Sequence, residues 1–392
     1  MTEVLTRTIS PARMTAFGTL EAVARGSYAS DFLRDGCRAL DPRDAALASQ
    51  IVFGCLRFQG QLDFLVSLYS GRKLRQIQPA LLVVLRMAIF QLRHLQRVPA
   101  HAVVNDAVQL AKRQGRAAAG FANAVLRKVN RNPVRWPNLE SELSCPAWLI
   151  NRWESHFGTE QARAIAAAAL NEPSAYIRIP PPSPPPASWE TEPTHVPGCY
   201  RLISSRDKGL RLHDISSQAI LPLLDLRPGD TYLDLCAAPG NKTLQALETP
   251  LSLAVAGDIS PKRILDIPPI CPRVVLDGSR PLPFGIRFDR IFIDAPCSGT
   301  GTLARNPEIK WRVQEQDLRR FKAKQKAILS EALKHLAVGG KLLYATCSLE
   351  KEENEDVVGE TLRCRPRLKC GTELWRLPGR DEGDGFYAAV LS

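Results

Sequence analysis

Tyr232-Leu-Asp-Leu-Cys236-Ala-Ala-Pro-Gly-Asn-Lys242-Thr243 is the stretch on which the fold turns. Its first four residues form a short apolar run with the composition of a buried strand, and the small residues after them form a turn opening into a helix. A strand, a small-residue turn and a helix in that order mark the nucleotide-binding edge of a doubly wound sheet, where a ligand can approach the backbone closely. The turn is neither the G-x-G-x-x-G of dinucleotide enzymes nor a phosphate loop. A cofactor without a pyrophosphate is therefore expected, and S-adenosylmethionine fits.

Further short apolar runs occur at Leu253 to Gly257, Val274 to Leu276, Arg290 to Ile293 and Lys341 to Ala345, with helical segments between them. Such alternation predicts a parallel sheet covered on both faces. Before the last strand, Leu329, Ala332, Leu333 and Leu336 have helical spacing, and Gly339-Gly340 reads as the helix stop. Asp234 sits in the first of these strands, Asp258 closes the second in Ala256-Gly-Asp-Ile-Ser, and Asp277 closes the third in Val275-Leu-Asp-Gly. Acids at successive strand ends suit a nucleoside, with Asp258 accepting from a ribose diol and Asp277 from an adenine amine.

Asp294-Ala-Pro-Cys297-Ser-Gly-Thr-Gly ends the fourth strand and Ala345-Thr-Cys347-Ser the fifth, so two thiols reach the same sheet edge. Carbon 5 of cytosine is too poor a nucleophile to take a methyl group directly. A thiolate adding at carbon 6 makes it enamine-like, and a group acting on ring nitrogen 3, for which Asp294 is placed, stabilises the adduct. The residues alone leave open which cysteine attacks. The ten cysteines form no C-x-x-C pair and lie within apolar runs, which predicts reduced thiols.

Upstream, about Ser10 to Arg131 is helical in pattern, with Leu81, Val84, Leu85 and Ala88 on one face and a break at Pro99. Cys145 to Leu170 reads as helix, Ala175 to Ile179 as a short strand, and the proline-rich stretch from Pro180 to Pro197 as a loop or linker. Domains at 1–140, 141–210 and 211–392 are expected. Residues 1–140 hold 20 Lys and Arg against 9 Asp and Glu, whereas the remainder holds 32 against 31. A basic half joined to a neutral one suggests a nucleic-acid footprint. With no uninterrupted apolar stretch of membrane-spanning length and no signal-peptide run, a cytosolic protein without a membrane partner is expected. The six histidines show no ligand spacing, so no metal is expected.

These motifs together resemble the NOL/NOP/Sun family of RNA cytosine-5 methyltransferases, and its bacterial Sun branch in particular. Residues 234–243 resemble the family's cofactor loop, Asp294 to Gly301 its proline-cysteine motif, and Thr346-Cys347-Ser348 with Glu353-Asn-Glu355 its nucleophile motif. Arg305-Asn-Pro-Glu-Ile-Lys-Trp311 is similar to its R-x-P-x-x-K-W segment, and Asp384-Gly-Phe-Tyr to its last strand. Val84 to Leu92, Asn105 to Lys112 and Phe121 to Arg127 resemble the antitermination factor NusB.

The resemblance implies an all-α NusB-like RNA-binding bundle followed by an α/β Rossmann-like catalytic domain acting on 16S ribosomal RNA; a monomer is expected. It implies Cys347 as nucleophile, Cys297 in product release and Asp294 in cytosine activation. The implied S-adenosylmethionine site comprises Cys236, Ala237, Ala238, Pro239, Gly240, Asn241, Lys242, Asp258, Asp277 and Asp294. Asn241 stands where the family has glycine, a position at which asparagine tolerates left-handed backbone. The segment between Asp258 and Asp277 is short and proline-rich, so the usual helix there is expected to be reduced or absent. Two other readings compete: an RNA-binding assembly factor with a decayed catalytic domain, and methylation of an exocyclic amine, which would need no thiol.

Overall fold

The computed structural model describes residues 9–207 and 209–392. The chain divides into two compact units, one of Met1–Asn151 with Asn306–Arg312, the other of Arg152–Arg305 with Val313–Ser392.

The first unit is helical: α1 (Pro11–Ala24), α2 (Ala29–Gly36), α3 (Pro42–Arg57), α4 (Gln59–Ser70), α5 (Pro79–His94), α6 (Ala100–Lys112) and α7 (Arg116–Leu126). Prolines at the first positions of α1, α3 and α5 start those helices without losing a hydrogen bond, and Asp41 caps α3 through the amides of Arg43 and Asp44. Leu81, Val84, Leu85 and Ala88 are all buried, as their spacing predicts. Gly54 lets α3 and α5 cross closely, because a Cβ there would lie 2.0 Å from the Phe90 ring. A buried pair, Arg13 with Asp106 at 2.8 Å, joins α1 to α6, while Arg13 Nε donates to Gln91 on α5.

Asn306–Arg312 completes this unit at the C-terminal end of α3. The Lys310 ammonium donates to the Arg57 carbonyl at 2.8 Å and the Trp311 indole to the Leu56 carbonyl at 2.9 Å. The last carbonyls of a helix lack intrahelical donors and carry partial negative charge, so a cation and an N–H are the groups that satisfy them. Burial lowers the Lys310 pKa to about 8. The K-W pair of the segment is thus explained by helix capping.

The second unit opens with helices Ala147–Phe157, whose last residues it contains, and Thr159–Ala168. The single helix expected over this region is interrupted at Gly158, whose φ of +84° ends one helix and starts the next. A three-stranded antiparallel sheet comes next, in the order β1 (Ala175–Arg178), β3 (Cys199–Ser204), β2 (Glu190–Pro193). The expected linker therefore contains a strand. β2 is an edge strand, the place where Pro193 costs no ladder bond.

The main sheet consists of β4 (Thr231–Leu235), β5 (Leu253–Asp258), β6 (Arg273–Val275), β7 (Phe288–Asp294), β8 (Leu336–Thr346), β9 (Cys370–Arg376) and β10 (Phe386–Leu391), in the order β6-β5-β4-β7-β8-β10-β9. All pairs from β6 to β8 are parallel, and β10 runs antiparallel to both neighbours. Both faces of the central strands are covered, so apolar residues of β7 and β8 alternate between two cores. Ile291, Ile293, Leu342 and Tyr344 point into one core, Phe292, Leu343 and Ala345 into the other.

Two expectations are corrected by the fold. The helix before β8 ends at Ala332, and Gly339-Gly340 lies inside β8, where the register with β7 shifts from Phe288↔Leu336 to Arg290↔Lys341. The glycines accommodate this irregularity: Gly339 has φ +76°, and a Cβ on Gly340 would meet the Asp289 carbonyl at 2.9 Å. β6 ends at Val275, two residues before Asp277, and only a 3₁₀ turn at Arg263–Asp266 stands between β5 and β6. No single helix among the described residues is long and apolar enough to cross a membrane.

Candidate active site

The strand order reverses between β4 and β7, and the predicted residues gather at the carboxyl ends of these strands and of β8. Directly after β4 the chain turns on Cys236 (φ +66°) and again on Gly240 (φ +97°) before the helix Asn241–Ala246. Asn241 is the first helical residue and is not left-handed, so the tolerance expected of it is not used. Its side chain instead donates to the Leu212 carbonyl and accepts from Arg211.

Asp258 fixes this loop, since one oxygen accepts from the Ala238 amide at 3.1 Å and the other from Ser260 at 2.8 Å. Asp277 takes both its bonds, from the amide and hydroxyl of Ser279, on a single oxygen, and these bonds lower its pKa. A cavity of about 330 Å³ lies beside the loop, walled by Asp234, residues 236–239, Asn241, Lys242 and Asp294. Neither Asp258, Asp277, Cys297 nor Cys347 contributes to that wall.

Asp234 is fully buried. Its Oδ2 accepts from Thr243 at 2.6 Å, and its Oδ1 has no partner. Burial raises its pKa to about 7. Asp234 shares the cavity wall with Asp294, and carboxylates there suit the ammonium and hydroxyl donors of S-adenosylmethionine. Because the folded value lies above the ordinary 3.8, the carboxyl's contribution to stability is full below pH 4 and lost as pH rises through 7. Asp234→Asn is accordingly expected to melt several degrees above the unsubstituted protein at pH 8, the gap narrowing towards pH 5. A gap independent of pH would show that the carboxyl titrates normally.

Lys242 donates to Asp294 at 2.7 Å and lies over the Phe386 ring at 5.3 Å. Burial disfavours its charge, but the Asp294 carboxylate outweighs this and raises its pKa. The two thiols meet as the strand ends predict, with Cys297 Sγ 3.3 Å from Cys347 Sγ. The Cys347 hydrogen bond, and after it burial, holds Cys297 well above the usual thiol range.

The turns that carry the thiols are locked together. Gly301 N donates to the Cys347 carbonyl at 2.9 Å and Gly385 N to the Gly301 carbonyl at 2.7 Å. Thr346 donates to Asn354, whose amide returns a bond to the Ser348 carbonyl.

One cluster was not foreseeable as a unit. Arg305 bridges Asp214 and Asp384, each at 2.7 Å, and all three reach the same cavity. Arg305 and Asp384 stand out in the sequence only as parts of motifs, and Asp214 not at all. Burial, with Asp214 adding to it, raises the Asp384 pKa to about 7.

A strand-order reversal with a donor-seeking cavity and a thiol pair defines a Rossmann-like methyltransferase, here carrying a NusB-type helical domain. The model for the 16S rRNA methyltransferase RsmB/F family matches residues 221–392, and that for the NusB family residues 10–131. Ribosomal RNA small subunit methyltransferase B of Erwinia tasmaniensis is 30% identical over 423 residues, covering 97% of this chain and 98% of that protein. The protein of the same name from Citrobacter koseri is 30% identical over 412 residues, covering 95% and 96%. The crystal structure of PH0851 superposes with a TM-score of 0.81 at 20% identity, covering 99% of both chains. A methyltransferase homolog protein from Pyrococcus horikoshii gives 0.56 at 21% identity over 66% of this chain and 99% of its own. The chain belongs to the ribosomal RNA small subunit methyltransferase B family, within the Sun group, whose cofactor is S-adenosylmethionine.

Proposed function

We propose that this chain methylates carbon 5 of a cytosine in RNA, with 16S ribosomal RNA as substrate, through a covalent bond from Cys347 to carbon 6. The observation that carries this reading is the thiol pair beside the Lys242–Asp294 ion pair at adjacent strand ends. Methylation of an exocyclic amine has no use for a thiol, and a decayed domain no use for two in contact.

The surroundings differ for the two cysteines. Lys242 is close enough to Cys347 for a thiolate there to favour the Lys242 charge, whereas the charged groups around Cys297 are the anions of Glu353 and Asp294. In this reading Cys347, which stands in the family's nucleophile motif, is the attacking thiol. Its thiolate adds to carbon 6 of a base turned out of its stack, since a thiol must reach the ring face. Negative charge then develops towards nitrogen 3, where a proton relayed from Lys242 through Asp294 can neutralise it.

S-adenosylmethionine would be held by the 236–242 loop and Asp294, with Asp258 fixing the loop and Asp277 just beyond the neighbouring strand, and would supply the methyl group that carbon 5 takes up. The carbon 5 proton passes to solvent, and the electron pair it leaves expels Cys347 as thiolate. Cys297, still carrying its proton 3.3 Å away, donates a hydrogen bond to that departing sulfur. The basic helical domain supplies phosphate contacts, in a cytoplasmic enzyme acting as a monomer.

Incubation with tritiated S-adenosylmethionine and small-subunit ribosomal RNA, then digestion to nucleosides, tests the reaction. Label in 5-methylcytidine is the expected result. Label in N4-methylcytidine, or cofactor binding without any label on RNA or intact subunits, would remove the proposal.

A further inference from the structure

Both cysteines are partly buried, both end strands of the same sheet, and their sulfurs touch. Something must break this symmetry. The residues after them are both serines, Ser298 and Ser348, whose hydroxyls lie 3.0 Å apart, and both report to one fully buried side chain, Glu353. Glu353 Oε2 accepts from the Ser298 amide at 2.8 Å and from Gln325 at 2.9 Å, and Oε1 accepts from the Ser348 hydroxyl at 2.7 Å. Its own carbonyl accepts from Tyr344, on β8, at 2.6 Å. One carboxylate thus spans the two thiol-bearing turns and is pinned from the helix Glu315–Ala332, while the residue's backbone is held from β8.

We infer that Glu353 is a positioning residue that assigns the attacking role to Cys347, by tying the two turns together and placing negative charge at the amide next to Cys297. This rests on the proposed roles of the two cysteines. Three donors converging on the carboxylate favour its ionised form, against burial, which raises its pKa. The groups facing Cys297 are Cys347, Glu353, Asp294 and Tyr344. The Cys347 hydrogen bond, burial and the anions of Glu353 and Asp294 all oppose ionisation of Cys297. Lys242, paired to Asp294, is the cation on the Cys347 side. Removing the Glu353 charge while keeping its shape should therefore release Cys297 from being held as a thiol.

The test is alkylation of the full-length protein by iodoacetamide at neutral pH, with peptides quantified by mass spectrometry. It needs neither RNA nor turnover. In the Cys347→Ala background, where the partner sulfur is gone, the Cys297 alkylation rate is compared between Glu353 and Glu353→Gln. Loss of one adjacent negative charge is expected to raise that rate about tenfold or more. In the protein with both cysteines, Cys347 is expected to react first, and Glu353→Gln to narrow its lead, whereas Glu353→Asp restores it in part.

A matched melting temperature shows that the Gln variant is folded, and Gln325→Ala, which removes a donor without removing the charge, serves as the structural control. An unchanged Cys297 rate in folded Glu353→Gln, or an equal rise in Gln325→Ala, would overturn the inference. Failure of the underlying reaction is seen separately, as methyl transfer that persists in Cys347→Ala.

Discussion

Cys347→Ala is expected to lower methyl transfer to RNA by a factor on the order of 10³ to 10⁶ while leaving cofactor affinity within about twofold. The first figure comes from removal of a nucleophile whose covalent bond is the only available route to an activated carbon 5; losses of this size accompany deletion of attacking residues in other covalent enzymes. The second comes from geometry, because Cys347 is not in the wall of the cavity beside the 236–242 loop. Alanine costs little in packing at a partly buried position, so melting temperature should change by only a few degrees. Single-turnover methyl transfer and equilibrium cofactor binding on the same preparation separate the two effects. A variant losing both together would indicate that the substitution had disturbed the loop.

Gly301→Ala is expected to cost about 3 kcal/mol of stability and most of the activity, at the upper end of the range of about 1–3 kcal/mol that overpacking costs in ordinary cores. A Cβ at this position would lie 2.4 Å from the Gly385 carbonyl oxygen and 2.8 Å from that of Cys347. Both are backbone atoms, and both belong to residues hydrogen-bonded to Gly301 itself. Relief therefore requires the turn that carries Cys297 to separate from the end of β8 that carries Cys347, and the lost backbone bonds add to the overpacking. Denaturant unfolding gives the stability, and turnover of the fraction that remains folded gives the activity. An alanine variant with an unchanged midpoint would contradict the close approach of these three strand-end segments.

Much of the catalytic half was legible because parallel strands buried on both faces announce themselves as apolar runs. Tyr232 to Leu235 and Arg290 to Ile293 left little choice, and the residues directly after a strand of a doubly wound sheet must lie at its carboxyl edge. Cys297 and Cys347 could thus be brought together without knowledge of the tertiary structure. Gly339-Gly340 was misread because a glycine pair ends a helix and relaxes a strand equally well, and local sequence does not distinguish the two. The strand Glu190–Pro193 was hidden by prolines that only an edge position excuses.

The Arg305 bridge was not legible as a unit. Its partners lie 91 and 79 positions away in sequence, and no periodicity connects residues so far apart. Asp277 lies beyond its strand because β6 ends at Val275 and Asp277 turns the chain by accepting from the amide and hydroxyl of Ser279.

Covalent capture tests the central claim most directly. RNA carrying 5-fluorocytosine at the target position can accept the thiolate and the methyl group but has no proton to lose at carbon 5, so the enzyme should remain bonded to it. After digestion of protein and RNA, mass spectrometry is predicted to find the methylated fluoronucleotide on the peptide containing Cys347. The same adduct on Cys297, or complete methyl transfer with no covalent species, would contradict the account.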